Sequence, residues 1–107
     1  TNYLNNTADA FALVKRLDNP GLSVNLDLST VLAQGEHLQS FIDDMQYVSH
    51  VHISEPGLVP IERRPEHKEL ALLLGAVGYS GFVSIEMART DLDTVRRTMD
   101  YIAEVFA

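Results

Sequence analysis

The sequence has 107 residues, of which eight are basic and fifteen acidic, for a formal net charge of −7. Nucleic acids and anionic membrane surfaces attract basic proteins, so neither is an expected partner. The chain has no cysteine, which excludes disulfides and thiolate metal sites and leaves a hydrophobic core to stabilise the fold. No apolar stretch approaches the about 20 residues that span a bilayer. We therefore expect a soluble, cytoplasmic protein.

Helical and strand patterns alternate along the chain. Apolar residues at spacings of three and four predict helices, and alternation of apolar and polar residues predicts strands. The predicted helices cover residues 7–17, 36–45, 65–77 and 91–106, and the predicted strands cover residues 22–28, 47–54 and 82–86. This order predicts right-handed crossovers and a parallel sheet, which is an α/β fold.

Each predicted strand has one apolar face and one polar face. Strands of a parallel sheet are usually apolar on both faces, so polar faces favour the interior of an α/β barrel over a doubly wound sheet. The polar positions are Ser23, Asn25, Asp27, His50, His52, Ser54, Ser84 and Glu86.

Three of these polar residues form a candidate metal site. Asp27, His52 and Glu86 stand at or near strand C-termini, where α/β barrels place catalytic groups. Two carboxylates and an imidazole suit a divalent ion such as manganese, magnesium, cobalt or zinc. A single carboxylate at a strand end is more often a cap or solvated, so the prediction depends on the coincidence of three.

Other polar residues have simpler interpretations. His50 on its own is more typical of a histidine that packs or supports a ligand than of a ligand. His37 is expected to be solvated, and His67 is expected to have a structural role near the start of the third helix. Arg63 and Arg64 could contact an anionic substrate, although such pairs are more often solvated.

Four segments, taken in order, resemble a known family. They are residues 5–10 (NNTADA), 24–27 (VNLD), 49–55 (SHVHISE) and 78–87 (GYSGFVSIEM). Together they resemble the C-terminal half of the xylose-isomerase-like TIM barrels, and within that superfamily the sugar phosphate isomerases and epimerases, including the ketose 3-epimerases. The resemblance implies that the chain is a single partial domain. It would run from helix 5 through strand 6 to helix 8 of a (β/α)8 barrel, with three parallel strands and four helices.

The resemblance also implies a metal centre. The family's ligands are a glutamate on strand five, an aspartate on strand six, a histidine on strand seven and a glutamate on strand eight. The last three correspond to Asp27, His52 and Glu86, whereas the first has no counterpart. We expect the chain to begin just after strand five, with Thr1 in the following loop.

The implied reaction is isomerisation or epimerisation of a sugar or sugar phosphate through a metal-stabilised enediolate. Glu86 would be one of two acid–base groups, and the strand-five glutamate would be the other. We therefore expect little or no turnover from this chain alone. Candidate substrate contacts are His50, Glu55 and Thr30. Thr30 stands where the family's epimerases typically have a histidine, which leaves the substrate orientation open.

Two other functions stay open. A non-catalytic half-barrel could serve in assembly or binding, because three strands cannot close a barrel and would leave two sheet edges that self-association could cover. A metal-dependent endonuclease on the same barrel is disfavoured by the charge of −7. A complete barrel needs about 250 residues, so we expect this chain to form part of one.

Overall fold

The computed structural model describes residues 6–106, so the predicted position of Thr1 in a loop lies outside the described residues. Four α-helices and three strands alternate in it, with short 3-10 helices between them. In chain order the main elements are α1 (Thr7–Leu17), β1 (Val24–Asp27), α2 (Leu28–Ala33), β2 (Val48–Ile53), α3 (Pro65–Ala76), β3 (Phe82–Ile85) and α4 (Leu92–Phe106). The predicted helices at 7–17, 65–77 and 91–106 are confirmed to within one residue at each end.

The three strands form one parallel sheet in the order β1-β2-β3. Asp27 is paired with His52 across the first strand pair, and His52 is paired with Ser84 across the second. The C-termini of all three strands therefore meet at one edge of the sheet. This arrangement confirms the predicted parallel α/β architecture, and neighbouring strands follow their order in the sequence.

The apolar face of the sheet forms the core. Leu26, Val51 and Ile53 are fully buried in it, together with apolar residues of α1, α3 and α4 such as Phe11 and Leu70. The opposite face carries the polar residues, and Asn25 is exposed there. The sheet is therefore covered on one face, as the alternating sequence pattern predicts.

Helix α1 is anchored at both ends by one later segment of the chain. The Asn6 side chain caps its start, and the Glu36 carboxylate accepts hydrogen bonds from the amides of Thr7 and Ala8, at 3.2 and 3.1 Å. Near its end, Lys15 forms a 2.9 Å ion pair with Asp44, which raises the pKa of Lys15.

The predicted helix at residues 36–45 is wrong. The segment instead forms two short 3-10 helices, Leu38–Phe41 and Met45–Tyr47. Its apolar spacing is real, because Leu38, Phe41 and Met45 are buried. The Ser40 hydroxyl, however, donates to the His37 carbonyl, a local bond of the kind that competes with continuous helix formation. His37 itself is exposed, as expected.

The predicted strand at 22–28 is too long, because the structure ends β1 at Asp27 and begins helix α2, which the sequence pattern does not predict, at Leu28. Asp27 ends β1 and is also the N-cap of α2, accepting the Ser29 amide at 3.1 Å. Aspartate is among the preferred N-cap residues, which accounts for a helix that starts directly after β1.

The turn before β3 depends on glycine. Gly78 has a φ of +68°, a backbone conformation that side chains disfavour. At Gly81 a Cβ atom would lie 2.6 Å from the Ser49 carbonyl oxygen and 2.5 Å from the Tyr79 hydroxyl. The same Tyr79 hydroxyl donates a hydrogen bond to the Phe82 carbonyl. The turn therefore packs closely against β2, which sets the position of β3.

Candidate functional site

The candidate site lies at the edge of the sheet where the three strands end. Asp27 is the last residue of β1, His52 is the penultimate residue of β2, and Glu86 follows β3 directly. The Glu86 amide donates to the Ile53 carbonyl at 2.9 Å, so the sheet pairing continues to this residue. The three predicted ligands therefore come from three adjacent strand ends.

His52 and Glu86 are in direct contact. The Nδ1 atom of His52 lies 2.7 Å from Oε1 of Glu86, yet the two groups do not meet at hydrogen-bonding angles. This Nδ1 is buried and has no other hydrogen-bond partner among residues 6–106. The two predicted ligands therefore lie side by side at the ends of β2 and β3.

His50 supports the His52 ring on the polar face. The two imidazoles stack with their centres 4.5 Å apart and their planes at 25°. His50 Nε2 is also 2.8 Å from the Ser84 hydroxyl, which ties β2 to β3. Whether His50 also contacts a substrate stays a prediction.

Asp27 uses one carboxylate oxygen for internal hydrogen bonds. Its Oδ1 accepts from the Ser29 amide at 3.1 Å, the Ser29 hydroxyl at 2.7 Å and the Ser54 hydroxyl at 2.7 Å. No hydrogen bond from a described residue reaches Oδ2. The sequence placed Ser54 on the polar face but did not indicate these bonds, because they depend on the register of β1 against β2.

The donor set is chemically suited to a divalent ion, although it is only partly assembled. Carboxylate oxygens and a neutral imidazole nitrogen are ligands for manganese, magnesium, cobalt and zinc. Within residues 6–106, no three histidine, aspartate or glutamate side chains are close enough together to hold a metal ion. The structure therefore brings His52 and Glu86 together and places Asp27 beside His52 on the neighbouring strand.

Thr30 and Glu55 differ in their accessibility. Thr30 is half-buried in α2 and lines a groove of about 390 Å³ between α1 and β1, together with Asn25 and Asp27. Glu55 is 1% exposed, and Nε of Arg64 lies 2.9 Å from both of its oxygens. A substrate contact by Glu55 would have to displace Arg64, so our proposal does not use one.

Arg64 is partly exposed and contacts the buried Glu55. Burial alone would raise the pKa of Glu55, but hydrogen bonds from Arg64 and the Glu62 amide outweigh it and hold this pKa below its usual range. His67 is fully buried, and its Nδ1 lies 2.6 Å from the Tyr101 hydroxyl. Burial lowers the pKa of His67, and the nearby charge of Arg64 adds to the effect.

These side chains join the end of β2 to α3 and α4. The guanidinium of Arg63 lies over the Tyr101 ring, 4.6 Å from its centre, and the Arg64 amide donates to the Tyr101 hydroxyl at 3.3 Å. The structural role expected for His67 agrees with these contacts. The partner of Arg64 could not be inferred from the sequence, because Glu55 lies nine positions away across a loop.

Solved structures with a similar fold include two epimerases. A 3-keto-D-glucoside 4-epimerase from E. coli superposes with a TM-score of 0.72 over 94% of this chain, at 23% identity. A D-psicose 3-epimerase from Clostridium cellulolyticum H10, solved with D-tagatose, superposes with a TM-score of 0.78 over 98% of it, at 21% identity. This chain has the fold of part of an α/β barrel. It spans 39% and 45% of the lengths of these two structures.

The comparisons confirm the predicted fold, which is part of an α/β barrel. No protein-family model and no curated protein sequence matches the chain. None of the helices within residues 6–106 is long and apolar enough to cross a membrane.

Proposed function

We propose that this chain forms part of the catalytic barrel of a metal-dependent sugar isomerase or epimerase. In this proposal Asp27, His52 and Glu86 bind a divalent ion, and Glu86 is also an acid–base group. The observation that carries the proposal is the convergence of His52 Nδ1 and Glu86 Oε1, 2.7 Å apart without hydrogen-bonding geometry. The fold shared with two sugar epimerases supports the same conclusion.

The proposed substrate is a sugar or sugar phosphate, bound at the polar edge of the sheet. An ion held there would polarise the substrate oxygens and stabilise the negative charge that develops on them. The Glu86 side chain is 46% exposed, so its carboxylate can reach a bound molecule and accept a proton from a carbon next to a carbonyl group. His50 and Ser84, joined across β2 and β3, offer polar atoms for sugar hydroxyl groups.

Titration of the chain with Mn²⁺ tests the proposal. Loss of a residue that hydrogen-bonds to a metal ligand typically weakens metal binding by about 10- to 100-fold. We expect Glu86→Gln to weaken Mn²⁺ binding by at least as much, because it removes a charged ligand. Isothermal titration calorimetry measures the dissociation constants directly. Asp27→Asn and His52→Asn should act in the same direction.

Glu104→Gln is the matched control, because Glu104 is an exposed residue of α4. It should leave Mn²⁺ binding unchanged. Equal Mn²⁺ affinity in the wild-type chain and in Glu86→Gln would refute the proposed metal site.

A non-catalytic assembly module is the second candidate function. Two observations favour it: among residues 6–106, β1 and β3 each have an unpaired edge, and an apolar groove of about 690 Å³ lies beside β3. The groove is lined by Val83, Ile85, Val95 and Met99, among others. An associating chain that binds no Mn²⁺ would favour this function over the first.

A further inference from the structure

We propose that Ser54 is a positioning residue, which orients the Asp27 carboxylate so that one of its oxygens stays available to a divalent ion. This inference rests on the proposed function, because it assigns the ion to the site that contains Asp27. It concerns a residue directly after β2 that acts on the last residue of β1, a contact that no sequence motif indicates.

The first step is the geometry of Ser54 itself. Its side chain follows β2 and is fully buried. Its hydroxyl donates to Asp27 Oδ1 at 2.7 Å and accepts from the Ser29 amide at 3.1 Å. Because the amide occupies the acceptor side of the hydroxyl, the hydroxyl proton is directed towards Asp27.

The second step is the distribution of hydrogen bonds on Asp27. Oδ1 accepts three of them, from the Ser29 amide, the Ser29 hydroxyl and the Ser54 hydroxyl. A carboxylate oxygen has about two lone-pair sites, so Oδ1 is saturated. Rotation of the carboxylate would break these bonds, and Oδ2 receives none from the described residues. Asp27 therefore presents one oxygen in a fixed orientation.

The third step is that capping a helix does not require this network. The Ser29 amide alone makes the N-cap bond, and α2 has only six residues. Burying a hydroxyl without a partner is unfavourable. Ser54 avoids this cost by hydrogen bonding to a carboxylate on the neighbouring strand. Such an arrangement is typical of the residues behind metal ligands, which fix the orientation of the ligand.

Substitution of Ser54, with a control at the other end of the same strands, tests the inference. Ser54→Ala removes the hydrogen bond to Asp27. Ser49→Ala removes the 2.7 Å hydroxyl contact between Ser49 and Ser23, the residue before β1. We expect Ser54→Ala to weaken Mn²⁺ binding by about 10- to 100-fold and Ser49→Ala to leave it unchanged. Far-UV circular dichroism and the melting temperature verify that each variant is folded.

Two further measurements distinguish positioning from general stability. The visible absorption spectrum of bound Co²⁺ should change in Ser54→Ala and not in Ser49→Ala, because it reports the geometry of the ligands. In an Asp27→Asn background, Ser54→Ala should cause no additional loss of Mn²⁺ affinity, because Ser54 acts through Asp27. If Ser54→Ala fails to fold, Ser29→Ala replaces it, since Ser29 is less buried and its hydroxyl bonds the same oxygen.

The outcomes separate the inference from the function on which it rests. Wild-type Mn²⁺ affinity and an unaltered Co²⁺ spectrum in Ser54→Ala, or in its replacement Ser29→Ala, would overturn the inference while leaving the metal site intact. An additional loss in the Asp27→Asn background would also overturn it. Failure of the wild-type chain to bind Mn²⁺ would overturn the proposed function, and the inference with it.

Discussion

His67 and Glu55 are almost fully buried, and their surroundings affect their protons in different ways. Burial and the charge of Arg64 lower the pKa of His67, against opposing effects from Glu55 and Glu66. Glu55 is kept charged by Arg64 and the Glu62 amide, although burial opposes this. In both cases the unfolded chain takes up a proton at a higher pH than the folded chain does.

Acid should therefore destabilise the fold in two stages. Folded His67 stays neutral to a lower pH than unfolded His67 does, so stability falls as the pH drops below the ordinary pKa of about 6.5, by at most about 1.4 kcal/mol per pH unit. Glu55 adds to the loss as the pH falls below about 4.5, the ordinary value for this side chain. Urea unfolding between pH 7.5 and 4 measures both stages.

His67→Asn should abolish the first stage and leave the second. His37→Asn is the control, because His37 is exposed, and it should retain both stages. A first stage that persists in His67→Asn would show that another group titrates there.

Among the elements, β3 depends most on its connection. Its residues are less buried than those of β1 and β2, and Phe82 is 78% exposed. The turn before it packs against the Ser49 carbonyl through Gly81. Because Glu86 follows β3, the close approach at this glycine also affects the position of a candidate ligand.

A methyl group at Gly81 should therefore destabilise the chain. We expect Gly81→Ala to cost about 1–3 kcal/mol, the usual range for overpacking, because the new Cβ would meet backbone at 2.6 Å. Gly75→Ala is the control. Gly75 lies within α3 with no atom near its Cβ position, so that change should stabilise the helix by about 0.5–1 kcal/mol. Chemical denaturation compares the two variants, and equal effects would contradict the close approach.

For the molecule as a whole, the unpaired edges of the sheet are the main feature. A groove of about 390 Å³ lies beside β1 and one of about 690 Å³ beside β3. In α4, Met99 is 58% exposed although it belongs to the apolar stripe of the helix. Open strand edges with apolar surface beside them favour pairing with further strands.

We therefore expect copies of this chain to associate in solution. Multi-angle light scattering should show a mass above that of the monomer, rising with concentration. Met99→Glu should shift the chain towards the monomer, since it places a charge in the groove beside β3. Ile42→Glu is the control, because Ile42 is comparably exposed, at 49%, and lies in neither groove. A monomeric wild-type chain at every concentration would contradict association.

The sequence predicted the sheet better than the site. Alternation alone identified the polar and apolar faces, because each strand has one covered face. It could not show that Asp27 both ends β1 and caps α2, nor that Ser54 reaches it from the next strand. Those contacts depend on register and side-chain rotamer, which residue spacing does not encode. The same limit explains the failure at 36–45, where the spacing is helical but local side-chain bonds favour 3-10 turns.

The anchoring of α1 has a consequence for how the fold opens. Glu36 holds the first amides of the helix, and Asp44 holds Lys15 near its end. Fraying of the helix at either end therefore breaks a contact with the segment that carries these two carboxylates. We therefore expect α1 and the segment 36–44 to open as one cooperative unit in amide hydrogen exchange, although β1 and α2 separate them along the chain. Their amides should exchange together.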